Sequence, residues 1–369
     1  MTTDPLDFNI DFGIGAGPTS QTFTKRPSKP SHVYPPRRLL TQIPSTDEYV
    51  LHIDNSSLER FTTCARAAEY YLVYSKETAH LRAALGFGKA IHSALELRGL
   101  VEGDSSPEVL AAIEQRQIEV IINHFENHFV PDTEFRTCER AIQVIQKYNK
   151  QYGHELFTFE RDANGNPYVE VPFTIPLGDL AVASEIPYPK RQLVVDATED
   201  TNFTISVLHI VWTGRIDALI RQDGQLWVMD HKTSSIMGQG FFDDFHLNNA
   251  TLGYCWAAQK IVGEPVVGLL MNAIGVRAPS KTGNMNQFER QRYLYTPDRI
   301  SEWELNTQAL VADFVSNLIR GYFPMETKWC IGKYGKCEYW DTCTLPKHQR
   351  TMDLFGSSYQ DVTWSPLNE

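Results

Sequence analysis

Hydrophobic and polar positions change period along the chain in an order that sketches a fold. In "NSSLERFTTCARAAEYYLVY" (55–74), Leu58, Phe61, Ala65 and Leu72 form an apolar helical stripe, and Ser56 with Glu59 fits a capping box at its start. "GFGKAIHSALELRGL" (86–100) predicts a second helix. "SPEVLAAIEQRQIEVIINHFENHF" (106–129) and "ERAIQVIQKYNKQYG" (139–153) predict a helical insertion over about residues 104–155. Strand patterns then take over in "YVEVPFTIPL", "SVLHIVWTGRIDALI" and "QLWVMDHKT". A helix near 245–262, a strand near 265–276, the short run "QRYLYT" and a long helix over 297–322 complete the pattern. This order predicts an α/β core with a mixed sheet. Residues 1 to about 48, rich in Pro, Ser, Thr and Gly, lack either period and read as a disordered arm; 351–369 reads as a tail.

One stretch raises a chemical question. In "GRIDALIRQDGQLWVMDHKT" (214–233), Asp223-Gly224 favours a two-residue hairpin turn. That turn sets Asp217 opposite Asp230 and Arg215 opposite Lys232. Directly opposed like charges destabilise a hairpin. A divalent cation relieves two carboxylates held together, and Mg²⁺ or Mn²⁺ takes oxygen ligands of this kind. A lysine on the same strand face can then orient water or stabilise phosphoryl charge. An exposed hairpin with scattered charges is the plainer alternative. Gly88, His92 and Glu96 recur every four residues on one face of the second helix, which offers a nitrogen ligand and a close backbone approach.

Composition narrows the setting. The chain has 369 residues, 42% of them hydrophobic, with no apolar run long enough for a bilayer and no signal-peptide pattern at its start. A soluble, cytoplasmic protein is expected. The net charge of −11 argues against wholesale coating of nucleic acid but leaves room for a local basic groove. Six cysteines in that setting suggest metal ligands or reduced thiols.

With "GKAIHSALE", "GRIDALI", "VMDHKT" and "LGYCWAA" in this order, the chain resembles the PD-(D/E)xK nuclease superfamily, in particular its RecB-like branch of AddB-type, CRISPR-associated iron–sulfur and phage exonucleases. The resemblance spans about residues 53–345. It implies a restriction-endonuclease-like core with a mixed central sheet flanked by helices, in a nuclease domain over 49–350. It further implies that His92, Asp217 and Asp230 bind Mg²⁺ or Mn²⁺, joined by the carbonyl of His231. Lys232 matches the catalytic lysine, and Asp217, Asp230 and Lys232 form the catalytic set. Tyr254 matches the tyrosine of the Q-x-x-x-Y helix, which supports the lysine and the DNA strand, with Glu96 a further supporting residue. The glutamine of that motif falls at Ala250, a departure for which Asn248 or Asn249 is the nearest substitute.

Cys330, Cys337 and Cys343 stand in C-x6-C-x5-C spacing within a cysteine segment over 328–345. The family's iron–sulfur members carry one cysteine before the nuclease motifs and three after them, which makes Cys64 the fourth ligand of a 4Fe–4S cluster. The spacing departs from the usual C-x-x-C opening, and zinc is the alternative metal. Cys138 and Cys255 read as helix core. DNA, single-stranded or with a free end, is the expected substrate. Arg37, Arg38, Lys25, Arg26 and Lys29 of the arm are candidate contacts. So are the basic, aromatic stretch 320–350 (Tyr322, Phe323, Trp329, Tyr334, Tyr339, Trp340) and Lys281, Arg290 and Arg292. No Walker A sequence occurs, so the expected setting is a stand-alone exonuclease of recombination, repair or phage genome processing, or the partner of a separate helicase or recombinase. A catalytically silent DNA-binding subunit on the same fold is the alternative.

Overall fold

The computed structural model describes residues 37–78, 83–101, 106–127, 130, 133, 135–277, 287–332 and 335–362. Strands occur earlier in the chain than the hydrophobic pattern places them. β1 (Leu40–Gln42) and β2 (Glu48–Ile53) form an antiparallel hairpin, and Leu39, Leu40, Tyr49 and Leu51 are fully buried. Residues 37–48 therefore belong to the sheet rather than to an arm. A three-residue strand is too short to declare a period of its own.

The helix expected over 55–74 is broken. α1 (Asn55–Thr63) is capped by Asp54, whose Oδ1 accepts from the Ser57 backbone N–H at 2.7 Å, so the cap lies two residues before Ser56. Cys64 then adopts extended backbone (φ −159°, ψ 111°) before α2 (Ala65–Ala68) and a π-turn over Glu69–Val73. After β3 (Lys76–Thr78) come α3 (Ala83–Glu96), α4 (Pro107–Asn127) and α5 (Cys138–Gln151). These three share a core in which Phe87 and Ile91 of α3 meet Ile121 of α4 and Val144 and Tyr148 of α5.

β4 (Thr158–Phe159), β5 (Val169–Ile186), the short α6 (Lys190–Leu193), β6 (Phe203–Gln222) and β7 (Gln225–Ser234) follow. Next are α7 (Gln239–Asp243), α8 (Asn249–Val262), β8 (Val266–Gly275), β9 (Phe288–Leu294) and α9 (Pro297–Arg320). The sheet runs β1-β2-β6-β7-β8-β9, with β4 and β5 along the other edge of β6. Pairing is mixed: β2 on β6 and β7 on β8 are parallel, the rest antiparallel. The main core joins this sheet to α8 and α9 through Trp212, Trp256, Trp303 and Phe314, while the α3–α5 core packs on Ile274, Val276 and Phe288. This is the expected restriction-endonuclease-like α/β architecture.

The C-terminal stretch contains β10 (Ile331–Gly332), β11 (Gly335–Lys336), α10 (Trp340–Thr344), α11 (Lys347–Leu354) and β12 (Tyr359–Asp361). The expected tail is docked up to residue 362, since β12 pairs with β3 and Leu354 and Val362 are fully buried. Among the described residues, no helix is long and apolar enough to cross a membrane.

Candidate active site

β6 is shared along one edge. β2 pairs with it as far as Ile53↔Trp212, and β7 takes over at Ala218↔Met229. Asp217 lies in the gap between them. The hairpin turn is as expected: Asp223 and Gly224 both have positive φ (53° and 76°), and five rungs run from Gln222↔Gln225 to Ala218↔Met229. Asp217 and Asp230 are next in that register, but the ladder stops before them. Instead, the backbone N–H of His231 donates to Asp217 Oδ2 at 2.7 Å. Arg215 is not paired with Lys232; its guanidinium lies 3.8 Å from Glu170.

Glu170 is the residue that the sequence pattern did not single out. Rungs Val169↔Ala218 and Val171↔Ile216 place it opposite Asp217 across β5 and β6. Its φ of +46° is a strained, left-handed value for a residue other than glycine. A lone carboxylate in the apolar run "YVEVPFTIPL" was the available signal. α3 brings the third group. His92 Nδ1 lies 3.5 Å from Asp217 Oδ2. Gly88, one turn earlier, lets the helix sit close to β7, since a Cβ there would lie 3.0 Å from Thr233 Oγ1. His92, Glu170 and Asp217 each offer a ligand atom within 4.8 Å of the other two.

Asp230 is 1% exposed. Its Oδ1 accepts from Lys232 Nζ at 2.9 Å, while Oδ2 is buried with no hydrogen-bond partner. Such an orphan is costly unless something else meets it. Burial pushes Asp230 up to about 6, against the pull of Lys232 and with the push of Asp217. Burial also raises Glu170, and with the Asp217 charge beside it the carboxyl reaches about 8. Asp217 goes the other way: burial opposes its charge, but His92, then His231 and Lys232, hold it below the usual carboxylate range. His92 rises because the Asp217 charge and hydrogen bond outweigh its burial. Lys232 is held in its charged form by Asp230 despite burial.

A hard divalent cation fits this donor set. It would meet one nitrogen and the oxygens of Asp217 and Glu170, while Asp230, with its unpartnered Oδ2, lies outside that gathered group of three. Two carboxyls that resist ionisation where they stand are the counterpart of such an ion.

That electrostatic position has a measurable consequence without metal. Glu170 binds its proton more tightly folded than unfolded, so its contribution is fully present below about pH 4.5 and is lost as pH rises through about 8. The loss is on the order of a few kcal/mol, at about 1.4 kcal/mol per unit. In chelator, the urea midpoint should fall between pH 6 and 8 (approximate limits set by Asp230 below and Glu170 above). Glu170→Gln should flatten that fall, and an equal fall in the variant removes Glu170 from the site.

Around this centre, Tyr254 of α8 lies in the field of Lys232, and burial raises its hydroxyl well above the usual range. Glu96 is exposed on the last turn of α3, where its charge adds to the rise of Glu170. Ala250 sits in the first turn of α8. Asn248 caps that helix, accepting from the backbone N–H groups of Ala250 and Thr251, so its side chain is committed to the helix end. Asn249 donates to Asn55 Oδ1 at the start of α1.

The four cysteines come together. Cys64, Cys330, Cys337 and Cys343 all line one cavity of about 560 Å³. Cys255 is buried in the main core and Cys138 packs on the α3–α5 core. The segment is also fastened by protein contacts: Arg60 pairs with Glu338, Tyr339 packs on Tyr70, and Tyr339 Oη donates to the Lys76 carbonyl at 2.6 Å.

Several candidate DNA contacts have other duties. Arg37 pairs with Asp54 at 3.0 Å, and burial lowers Arg38. Arg290 makes a two-pronged pair with Glu155 (2.5 and 2.9 Å) and stacks on Tyr152. Phe323 and Tyr339 are fully buried, whereas Tyr322, Trp329 and Arg292 are exposed. Lys25, Arg26, Lys29, Lys281 and Tyr334 lie outside the described residues.

The hairpin, the lysine beside a buried aspartate and the histidine-bearing helix meet at one place on this fold. Residues 55–344 match the PD-(D/E)XK nuclease superfamily, and the chain belongs to it. No curated protein matches the sequence. Among solved structures, one from Eubacterium rectale described as a "putative exonuclease" is similar, with 12% identity and a TM-score of 0.40 over 83% of this chain and 93% of the other.

Proposed function

We propose that this nuclease is a divalent-metal-dependent deoxyribonuclease of the RecB-like branch that degrades DNA from an end. The observation that carries the reading is the pairing of Asp217, held ionised, with a buried Asp230 whose Oδ2 has no partner and whose Oδ1 holds Lys232. Asp217, Asp230, His92 and Glu170, with the His231 carbonyl, are the residues that would hold Mg²⁺ or Mn²⁺. Such an ion, when bound, supplies an activated water and neutralises phosphoryl charge. Lys232 stays protonated and spends one N–H on Asp230, leaving others for a phosphate oxygen or the attacking water. Tyr254 backs the lysine from α8. Exposed Tyr322 and Trp329 offer ring faces for bases of a single strand. Cleavage of end-labelled single and double strands, against circular DNA, with Mn²⁺ or chelator, tests the reading. Circles cut as fast as ends remove the exonuclease assignment.

The four cysteines are read as ligands of a 4Fe–4S cluster. What supports four thiolate ligands of one centre is that all four cysteines line one cavity, and zinc is the competing occupant. A separate helicase or recombinase is the proposed companion, in keeping with the missing Walker A sequence.

His92→Ala should lose one ligand of several. Cleavage should slow by about tenfold or more, and raised Mn²⁺ should restore part of it. An unchanged Mn²⁺ titration returns His92 to a packing role.

A further inference from the structure

His231 has two anchors, and the second is assigned no role in the site so far. Its backbone N–H holds Asp217, and its ring meets the His92 ring edge-on at 5.8 Å. On the other side, Nδ1 lies 2.7 Å from Asn272 Nδ2 on β8. The Asn272 amide has only one workable orientation, because Arg290 Nε donates to its Oδ1 at 3.2 Å. Its Nδ2 therefore donates, to His231 Nδ1 and to Tyr148 Oη at 3.0 Å. Histidine Nδ1 accepting from an amide carries no proton, so the ring is the Nε2–H tautomer.

The anchoring continues until it closes on itself. Arg290 is gripped by Glu155, and Glu155 Oε1 also accepts from Arg98 at 3.1 Å. Arg98 lies two residues past the end of α3, the helix that carries His92. Both histidines at the centre thus trace back to one half-buried carboxylate, Glu155, by separate routes. Asn272 is completely buried and His231 is 6% exposed, so neither finds water as a replacement partner.

We propose that Asn272, itself fixed by Arg290, is a positioning residue of the metal centre, pinning His231 as the Nε2–H tautomer so that Asp217 and His92 stay at ligand distance from one another. The proposal rests on the metal reading above. Partners of this kind, one step behind a ligand, commonly tune metal affinity by 10–100-fold (order of magnitude).

Two measurements test it on the full chain. Nitrogen-15 NMR of the imidazoles should show His231 as Nε2–H in the wild type and as Nδ1–H in Asn272→Asp, where the new carboxylate can only accept. Mn²⁺ binding without DNA, followed by electron paramagnetic resonance, should weaken about tenfold or more in Asn272→Ala. Arg290→Lys, which keeps a charge for Glu155 but gives up the fork, should weaken it several-fold and serves if Asn272→Ala does not fold. Tyr148→Phe, which leaves the Asn272–His231 bond in place, should bind Mn²⁺ within about twofold of wild type. A purely structural Asn272 would lower thermal stability and leave Mn²⁺ affinity alone; that result, or an Nδ1–H wild-type ring, overturns the proposal. Wild-type protein that binds no Mn²⁺ overturns the metal reading and the positioning role together. Binding lost in Asp217→Ala but intact in folded Asn272→Ala overturns the positioning role alone.

Discussion

Asp217→Ala, Asp230→Ala and Lys232→Ala are each expected to lower cleavage by about 10²–10³-fold or more while leaving the protein folded. The three fail for different reasons. Asp217 is the ligand already ionised in the fold, with His92 and the His231 N–H both directed at Oδ2, so its loss removes the anchor of the centre. Asp230 supplies a buried oxygen with no other partner and also seats Lys232; its removal costs metal affinity and frees the lysine. Lys232→Ala should spare Mn²⁺ binding, because the lysine is a cation and competes with the ion rather than holding it. Calorimetric Mn²⁺ titration therefore separates the variants: affinity falls in the two aspartate variants and holds, or rises, in the lysine variant. Near wild-type cleavage by any folded member of the three would sink the assignment, and so would normal Mn²⁺ affinity in both aspartate variants.

How much of this centre could be read from the chain depends on whether a residue's role is local. The hairpin was legible because Asp223-Gly224 fixes a register, and a register fixes neighbours across five rungs. Its end was not legible, since the ladder stops where β2 leaves β6 and β7 arrives, and that exchange depends on a partner more than 150 residues away in sequence. Glu170 shows the same limit. Nothing in "YVEVPFTIPL" states that β5 lies along the opposite edge of β6, so one carboxylate in an apolar run looked incidental. Arg290 shows the converse: as one of several basic residues in sequence it suggested a phosphate contact, but Glu155, Tyr148 and Asn272 between them engage all three of its guanidinium nitrogens. Asp54 displaced Ser56 as the α1 cap because the chain leaves β2 one residue earlier, at Ile53. Periodicity located the helices and strands; long-range pairing decided which side chains meet.

Substitution of any one of Cys64, Cys330, Cys337 or Cys343 by serine should turn brown, anaerobically purified protein colourless and expose residues near 326–362 to protease. The chain-entropy ceiling for closing so long a loop is about 5 kcal/mol. The real loss should fall below that ceiling, because Tyr339 on Lys76 and the β3–β12 pair close the same loop without any metal. Opening should therefore begin locally, at the turn that holds Cys330 and Cys337, where the Cys337 N–H donates to the Cys330 carbonyl at 2.9 Å. Its reach into the centre runs through Leu85, which lines the cysteine cavity at the start of α3, the helix that carries His92. Activity should fall with the order of that helix end rather than with any chemistry of the cluster. Cys138→Ser and Cys255→Ser should stay brown, since neither lines the cavity. Colourless wild type with one zinc per chain would replace the cluster with zinc and keep the four-thiolate staple. Colourless, metal-free wild type with an intact, protease-resistant C-terminal segment would remove the staple altogether and leave Tyr339 and β12 as the fastening.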